Sequence, residues 1–375
     1  MKTILILTHI TSEESLFSSY VYYHGKSLAK LGNKVIIFAI NNYFPFLKKK
    51  IKKQVKIVDE VEVHFLNRIS FSNLLINSKI NLNGLSYYFV AKKEIKKILK
   101  EVNIDLIDAH YFKIEGYAAY KLKKKFNIKT FITLHGTSFT NSFNSKNGKE
   151  KIVKISKIID YYVCVSEKLQ RMLNTLNIEN STVIYNGINF FRKNEVIKNN
   201  NSIVTIGSFT SDKNIDVVIE VFKTVLNKIP DLHLTIIGSG ILKEYLDDLC
   251  KNIKDNVLFT GQISNDEVYE YLNKSNLFIL PSSPEGFGIV YAEAMYNKCI
   301  TIGTKGEGID GFITNGENGF LVNIDVNEIS NLIIDIFNNK YNLNKIRDNA
   351  YNSAKGLTWE KNAKKYMRLM EKRKI

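Results

Sequence analysis

The feature that most constrains this chain is an alternation, run through twice, between short β-branched apolar segments and longer segments with apolar residues at helical spacing. In the first half the strand candidates are TILILT (3–8), KVIIFAI (34–40), VEVHFLN (61–67), IDLIDAH (104–110), KTFITLH (129–135), YYVCVS (161–166) and STVIYNG (181–187). Stretches of 3.6-residue period, such as 90–102 and 116–126, lie between several of them. Continuous apolar strands alternating with helices require a parallel sheet covered on both faces. FRKNEVIKNNNS (191–202) breaks the pattern and reads as an interdomain linker. The alternation then restarts, with strands at 203–208, 233–239, 256–261, 277–282 and 299–304. Helices are expected near 214–228, 240–252, 265–273 and 287–297, and a polar helix opened by Thr358 and Trp359 closes the chain. The expectation is α/β: two doubly wound, Rossmann-like domains, 1–190 and 203–357, facing across a cleft. The helix in 358–375 is expected to pack back on the first domain. In open α/β sheets ligands bind beyond the carboxyl ends of the strands, so the strand-end loops are the places to search.

A length of 375 residues suits two domains, each with its own core, and 45% hydrophobic with 24% charged residues excludes a disordered or fibrous chain. Three separated cysteines, Cys164, Cys250 and Cys299, exclude a disulfide framework, and no Cys/His run has zinc-binding spacing. The opening MKTILILTHITSEE has too short an apolar core for a signal peptide, and no apolar run could span a bilayer. A cytoplasmic protein is expected. The net charge of +16 is one-sided: residues 1–190 carry 30 basic and 14 acidic side chains, whereas 191–375 carry 23 of each. The excess gathers in 47–56, 91–101 and 121–129. It is either a solvated lysine-rich surface or a face for a polyanion or anionic membrane.

The segment richest in chemistry is PSSPEGFGIVYAEAMYNK (281–298). Helix onset near Phe287 would leave the amides of Phe287, Gly288 and Ile289 without intrahelical acceptors, and Gly286 and Gly288 would let a ligand approach them. Free amides at the positive end of a helix dipole suit phosphate or sugar hydroxyls. Glu285 at the helix mouth and Glu293 further along the axis could accept hydrogen bonds from hydroxyls at the two ends of a ligand with an anionic middle. A nucleotide sugar has that layout.

Glu285-Gly-Phe-Gly-Ile-Val-Tyr-Ala-Glu293 after a strand ending in Pro-Ser resembles the signature of the retaining glycosyltransferases of family 4, which have the GT-B fold. DLIDAH (105–110), TLHGTS (133–138), VSEKL (165–169), VIYNGIN (183–189), IGSFTSDKN (206–214), LTIIGSG (234–240), VLFTGQI (257–263) and ENGFLV (317–322) follow in the order of that family. The resemblance implies that Glu293 binds the ribose hydroxyls and that Glu285 lies near the transferred sugar. The amides of Phe287, Gly288 and Ile289 would cradle sugar and phosphate, and Lys213 would contact the diphosphate from the loop holding Gly207 and Ser208. Gln262 and Ile263 would meet the base, and His135 would stand beside the reacting sugar. Asn186 and Gly187 would lead into the interdomain hinge. Two positions depart from the family: Ser208 replaces an arginine, and Ser18-Ser19 stand where paired glycines are usual.

These features imply transfer of a hexosyl unit from a nucleotide diphosphate sugar, UDP-linked in the first instance, to a saccharide or lipid-linked saccharide acceptor in surface polysaccharide or glycolipid synthesis. Lys213 and the helix N-terminus would offset charge on the leaving diphosphate. The chain has no D-x-D pair, so no metal and no cofactor are expected at the donor. No protein nucleophile is assigned, and front-face attack aided by the donor phosphate is the working mechanism. Lysines interleaved with aromatics at 87–100 suggest an anionic membrane surface as a partner for the basic domain. Another GT-B nucleotide-sugar enzyme, such as an epimerase, is the near alternative. A basic nucleic-acid-binding protein is the distant one, without any recognition motif to accompany its charge. Neither half has G-x-G-x-x-G after its first strand, which argues against a dinucleotide-dependent dehydrogenase.

Overall fold

A computed structural model describes residues 1–43, 50–71, 81–189 and 198–372. The chain forms two units, Met1–Gly187 with Trp359–Ile375, and Ile188–Thr358.

The first unit is an eight-stranded sheet of β1 (Thr3–Ile10), β2 (Lys34–Tyr43), β3 (Gln54–Val58), β4 (Val61–Ile69), β5 (Leu106–His110), β6 (Lys129–Leu134), β7 (Tyr161–Cys164) and β8 (Ser181–Val183). Its order is β3-β4-β2-β1-β5-β6-β7-β8, parallel throughout except for the β3–β4 hairpin. Ile4, Leu5, Ile6 and Leu7 of β1 have no exposed surface, as expected of a central strand covered on both faces. All seven strands expected in this half form. β3 was not foreseen: its sequence lies partly in the basic run at 47–56, of which 47–49 fall outside the described residues. Asp59 and Glu60 join it to β4 with φ of 48° and 65°, a two-residue turn with both centres left-handed, made without the usual Asn-Gly. Val55 and Ile57 are exposed on this edge strand, and Lys56 pairs with Glu13. A charged side chain is a common protection for an unpaired edge.

The last helix, Trp359–Glu371, buries Ala363, Tyr366 and Leu369 in the first unit's core. It packs on the helix Tyr20–Lys30, and the Tyr366 hydroxyl lies 2.7 Å from Thr133 Oγ1 on β6. A Cβ on Gly187 would come within 2.5 Å of the Trp359 ring, so close packing fixes the residue type there.

The second unit is a six-stranded sheet of β9 (Asn199–Ile206), β10 (His233–Ile237), β11 (Val257–Gly261), β12 (Ser275–Ile279), β13 (Ile300–Thr304) and β14 (Phe320–Val322). The order is β11-β10-β9-β12-β13-β14, with every pairing parallel. β9 starts earlier than the polar sequence suggests, because Asn199 pairs with Ser275 and Lys198 donates to the carbonyls of Leu272, Asn273 and Ser275. Residues 191–197 of the expected linker lie outside the described residues. The order reverses between β9 and β12, so the loops after those strands flank the topological switch point.

Candidate functional site

The loop after β9 runs from Gly207 to a short 3₁₀ turn, Ser211–Lys213. Gly207 N donates to Ile237 O at 3.0 Å and Phe209 N to Ser239 O at 2.9 Å, tying this loop to the end of β10. A Cβ on Gly238 would approach Gly207 O to 1.9 Å, which explains a glycine there. The Lys213 stem passes over Gly207, whose added Cβ would meet Lys213 Cγ at 3.5 Å. Ser208 is exposed, its hydroxyl 3.2 Å from Thr210 Oγ1.

Lys213 and Glu285, expected at different parts of a ligand, meet. Lys213 Nζ donates to Glu285 Oε2 at 2.7 Å, with the two side chains 20% and 14% exposed. Glu285 also accepts from Ser282 Oγ at 3.2 Å and from Gly286 N at 3.0 Å. The loop after β12 is held to the loop after β9 by Ser283 N donating to Asp212 O and Asn214 Nδ2 to Pro281 O, both at 2.8 Å.

Glu307, not singled out from sequence, is the second carboxylate of this loop cluster. It accepts from Glu285 N at 2.6 Å and from Ser283 Oγ at 2.9 Å. Its loop follows β13 and includes Gly306, Gly308 and Gly311. A Cβ on Gly308 would lie 2.2 Å from Gly286 O and 2.6 Å from Phe287 N. That glycine-rich run was the available signal.

The helix after Gly288 begins later than expected. It spans Ile289–Tyr296 with Gly288 at its N-cap in the left-handed region, φ 72°. Phe287 is buried with its ring against Phe312. The amides without intrahelical acceptors therefore start at Ile289 and not at Phe287. Tyr291, also unforeseen, is buried and sits 2.9 Å from Ser282 Oγ, fastening the first turn to the loop.

Glu293 is partly buried between the buried Ala292 and Ala294. Burial pushes its carboxyl up to about 7, and a 2.9 Å hydrogen bond from the Tyr269 hydroxyl opposes the rise. The same hydroxyl lies 2.6 Å from Asn189 O. Gly261, the last residue of β11, adopts φ 72°, and beyond it Gln262 is exposed and Ile263 partly buried.

In the first unit, His135 is the residue just beyond β6 and is partly exposed. Its Nε2 lies 2.8 Å from His110 Nδ1 at the end of β5, and its ring packs 4.4 Å from that of Tyr20. Burial, then the neighbouring His110, hold His135 well below the ordinary histidine range. It is therefore a neutral ring offering hydrogen bonds, not a cation. Behind His110 stand Asp108 and His24. Burial pushes Asp108 up, but the two histidines beside it prevail and leave its carboxyl well below the usual range. Nearby, His9 Nδ1 lies 2.8 Å from buried Glu115, and that charge raises His9. Ser18 ends one short helix and Ser19 caps the next, accepting from Tyr22 N, so each serine does local capping work where glycines were expected.

Two parallel α/β units, each with polar side chains gathered beyond its strand ends, are the architecture of the GT-B class. Residues 187–353 match the family described as glycosyl transferases group 1, and 18–191 match glycosyltransferase family 4. The chain belongs to glycosyltransferase family 4. It is 29% identical over 336 residues to an uncharacterised glycosyltransferase of Methanocaldococcus jannaschii, covering 85% of this chain and 93% of the relative. It is 26% identical over 318 residues to N-acetyl-alpha-D-glucosaminyl L-malate synthase of Bacillus anthracis, covering 80% and 78%. Sucrose-phosphate synthase of Thermosynechococcus elongatus superposes with a TM-score of 0.75 at 18% identity over 98% of both chains. Anabaena HepE, solved with UDP and glucose, gives 0.71 at 15% identity over 98% of this chain and 99% of that one.

Proposed function

We propose that this glycosyltransferase moves a hexosyl unit, with retention at the anomeric carbon, from a UDP-sugar to a saccharide acceptor carried on a lipid. The observation that carries the donor reading is the Lys213–Glu285 pair at the switch point, beside the N-terminus of the helix that bears Glu293. Glu285 neutralises the lysine. A diphosphate would compete for Lys213 Nζ, releasing Glu285 to accept from sugar hydroxyls. Lys213 and the amides from Ile289 onward then offset charge developing on the leaving diphosphate. Glu293 accepts from ribose hydroxyls, and Gln262 and Ile263 border the base. Gly207 lets the Lys213 stem lie close to the backbone, and Ser208 supplies a hydroxyl in place of a cation.

With donor bound Glu285 is occupied by sugar hydroxyls and Glu293 by ribose, so no protein nucleophile is assigned; the acceptor hydroxyl attacks from the face the diphosphate leaves and hands its proton to that diphosphate. His135, neutral, serves the acceptor side by hydrogen bonding. The relative from Bacillus anthracis, by its name, makes a glucosaminyl malate, and HepE was solved with UDP, which supports a nucleotide-sugar donor.

A thermal-shift panel of UDP-, GDP-, ADP- and dTDP-sugars tests the donor. A ligand at a hundred times its dissociation constant stabilises by about 2.7 kcal/mol, enough to move the midpoint by several degrees. A shift with one class, lost in Glu293→Ala, supports the reading; a shift only with a dinucleotide or DNA overturns it. Proton spectra of the product report the anomer, and inversion would refute the front-face mechanism.

The membrane-facing part rests on the first unit's lysines, several of which stack on rings: Lys92 over Tyr88 and Phe89, Lys121 over Tyr117, and Lys124 over Tyr120. Phe89 is 60% exposed. Among the described residues no helix is long and apolar enough to cross a membrane. Salt-sensitive binding to anionic liposomes is expected, at about 1 kcal/mol per well-placed lysine. Absence of binding at low salt would sink it.

A further inference from the structure

Two imidazole nitrogens and one carboxylate oxygen converge in the interior of the first unit, at the carboxyl end of β5. His24, Asp108 and His110 are 2%, 0% and 2% exposed. Among the described residues His24 Nε2, Asp108 Oδ2 and His110 Nε2 have no hydrogen-bond partner, and they lie within 4.8 Å of one another. Three buried polar atoms facing one point are costly unless something satisfies them.

The surrounding hydrogen bonds fix where protons sit. Asn362 Nδ2 donates to Tyr185 O at 2.8 Å, which turns its Oδ1 toward His24 Nδ1 at 2.7 Å. His24 therefore carries its proton on Nδ1, and a neutral ring presents a lone pair on Nε2. That lone pair faces Asp108 Oδ2 at 3.4 Å. Asp108 Oδ1 accepts from Thr133 Oγ1 at 2.7 Å, as an ionised carboxylate does. A lone pair facing a carboxylate in a dry core is repulsive unless a proton or a metal ion stands between them. His110 Nε2 reaches the same oxygen at 3.3 Å from the other side.

The two separations favour a metal over a proton. Charge-assisted N–H···O bonds run about 2.7–2.9 Å, shorter than either separation. Zinc bonded to nitrogen and oxygen at about 2.0–2.1 Å sets tetrahedral ligand atoms about 3.3–3.4 Å apart, which matches both. The remaining nitrogen of each ring is also hydrogen-bonded, His24 to Asn362 and His110 to His135, as the outer partners of metal-bound histidines usually are.

We propose that the first unit binds a divalent transition-metal ion of the zinc class through His24 Nε2, Asp108 Oδ2 and His110 Nε2. The site lies in the first unit and is independent of the donor chemistry assigned to the second. With Nε2 on the metal, His110 keeps its proton on Nδ1 and donates it to His135 Nε2. The ion thereby fixes the orientation of His135 without touching substrate. Sequence spacing hid this site, since His24 comes from a helix and its partners from a distant strand.

The test is metal analysis of the full-length protein, isolated from medium supplemented with Zn²⁺ and, separately, from minimal medium in which Co²⁺ replaces it. About one equivalent of metal and the visible d–d bands of tetrahedral Co²⁺ are expected. Asp108→Asn should abolish the bands. Asn362→Ala, which removes the outer partner of His24 and the bond to Tyr185 O but no proposed ligand, should weaken retention against a chelator about 10–100-fold. Folded wild-type protein with neither stoichiometric zinc nor Co²⁺ bands would overturn the proposal and leave a proton on His24 as the bridging charge. Bands that survive in a folded Asp108→Asn variant would place the metal elsewhere and refute it equally.

Discussion

Replacing Glu293 with glutamine should make the protein more stable and less active, by amounts that depend on pH. In the folded chain burial raises this carboxyl to about 7, against about 4.5 when it is solvated. A group whose folded pKa is raised holds its proton more tightly in the folded state, so its contribution to stability is complete at low pH and is lost as pH climbs from about 4.5 to 7. Each pH unit between those two values is worth about 1.4 kcal/mol, so wild type forfeits roughly 3 kcal/mol above pH 7 relative to an uncharged isostere. Near pH 5 the forfeit is still under about 1 kcal/mol. Glutamine keeps an oxygen for the Tyr269 hydroxyl and removes the ionisation. Urea unfolding of both proteins at pH 5 and pH 8 should show a stability difference that widens by about 2 kcal/mol at the higher pH. UDP affinity should fall in the same variant, because a neutral amide accepts more weakly from ribose hydroxyls. A stability difference that is the same at both pH values, or reversed in sign, would refute a buried ionisable Glu293.

Gly308→Ala forces a Cβ to within 2.2 Å of Gly286 O; it should cost about 1–3 kcal/mol by thermal unfolding and weaken donor binding, since the Glu285 loop must shift. Lys213→Ala strands Glu285 and should cost about 1–2 kcal/mol of stability and roughly 10²–10³ in kcat/KM. In a double-mutant cycle with Glu285→Gln the two stability losses should not add, and strict additivity would show that the pair is uncoupled. His135→Ala should lower kcat about 10²-fold while leaving UDP affinity unchanged by calorimetry; a matching loss of UDP affinity would move His135 to the donor side.

Most strands of both sheets were readable because a parallel sheet demands uninterrupted apolar runs, and Ile4 to Leu7 or Leu277 to Ile279 supply them; β14, only Phe320–Val322, is too short to show one and was not foreseen. What stayed hidden were elements whose sequence follows another rule. β3 is an edge strand with lysines among its apolar residues, and its turn is Asp59-Glu60. The start of β9 is Asn199-Asn200-Asn201-Ser202, strand by pairing and not by composition. Among the candidate residues, Glu285 and Glu293 were singled out by spacing and Lys213 and His135 by resemblance alone, and the side chains they meet were not foreseen. Tyr269 and Glu307 belong to other segments, Tyr291 lies in the same segment but reaches back to Ser282 only on folding, and only folding decides that Glu307 accepts from the Glu285 amide. Helix onset moved from Phe287 to Ile289 because Phe287 is apolar enough to enter the core and Gly288 alone tolerates the left-handed cap.

The chain leaves the first unit after Gly187 and returns to it at Trp359. In order of synthesis, the second unit is thus an insertion inside the first. Its core can close on the ribosome as soon as Thr358 has emerged. The first unit, made earlier, must wait with the surfaces of Leu28, Phe131 and Val163 open until Ala363, Tyr366 and Leu369 arrive. The nascent first half is therefore the stretch most exposed to misassociation and to chaperones during translation. Premature termination just before Trp359 would leave a folded second unit attached to an unfinished first one.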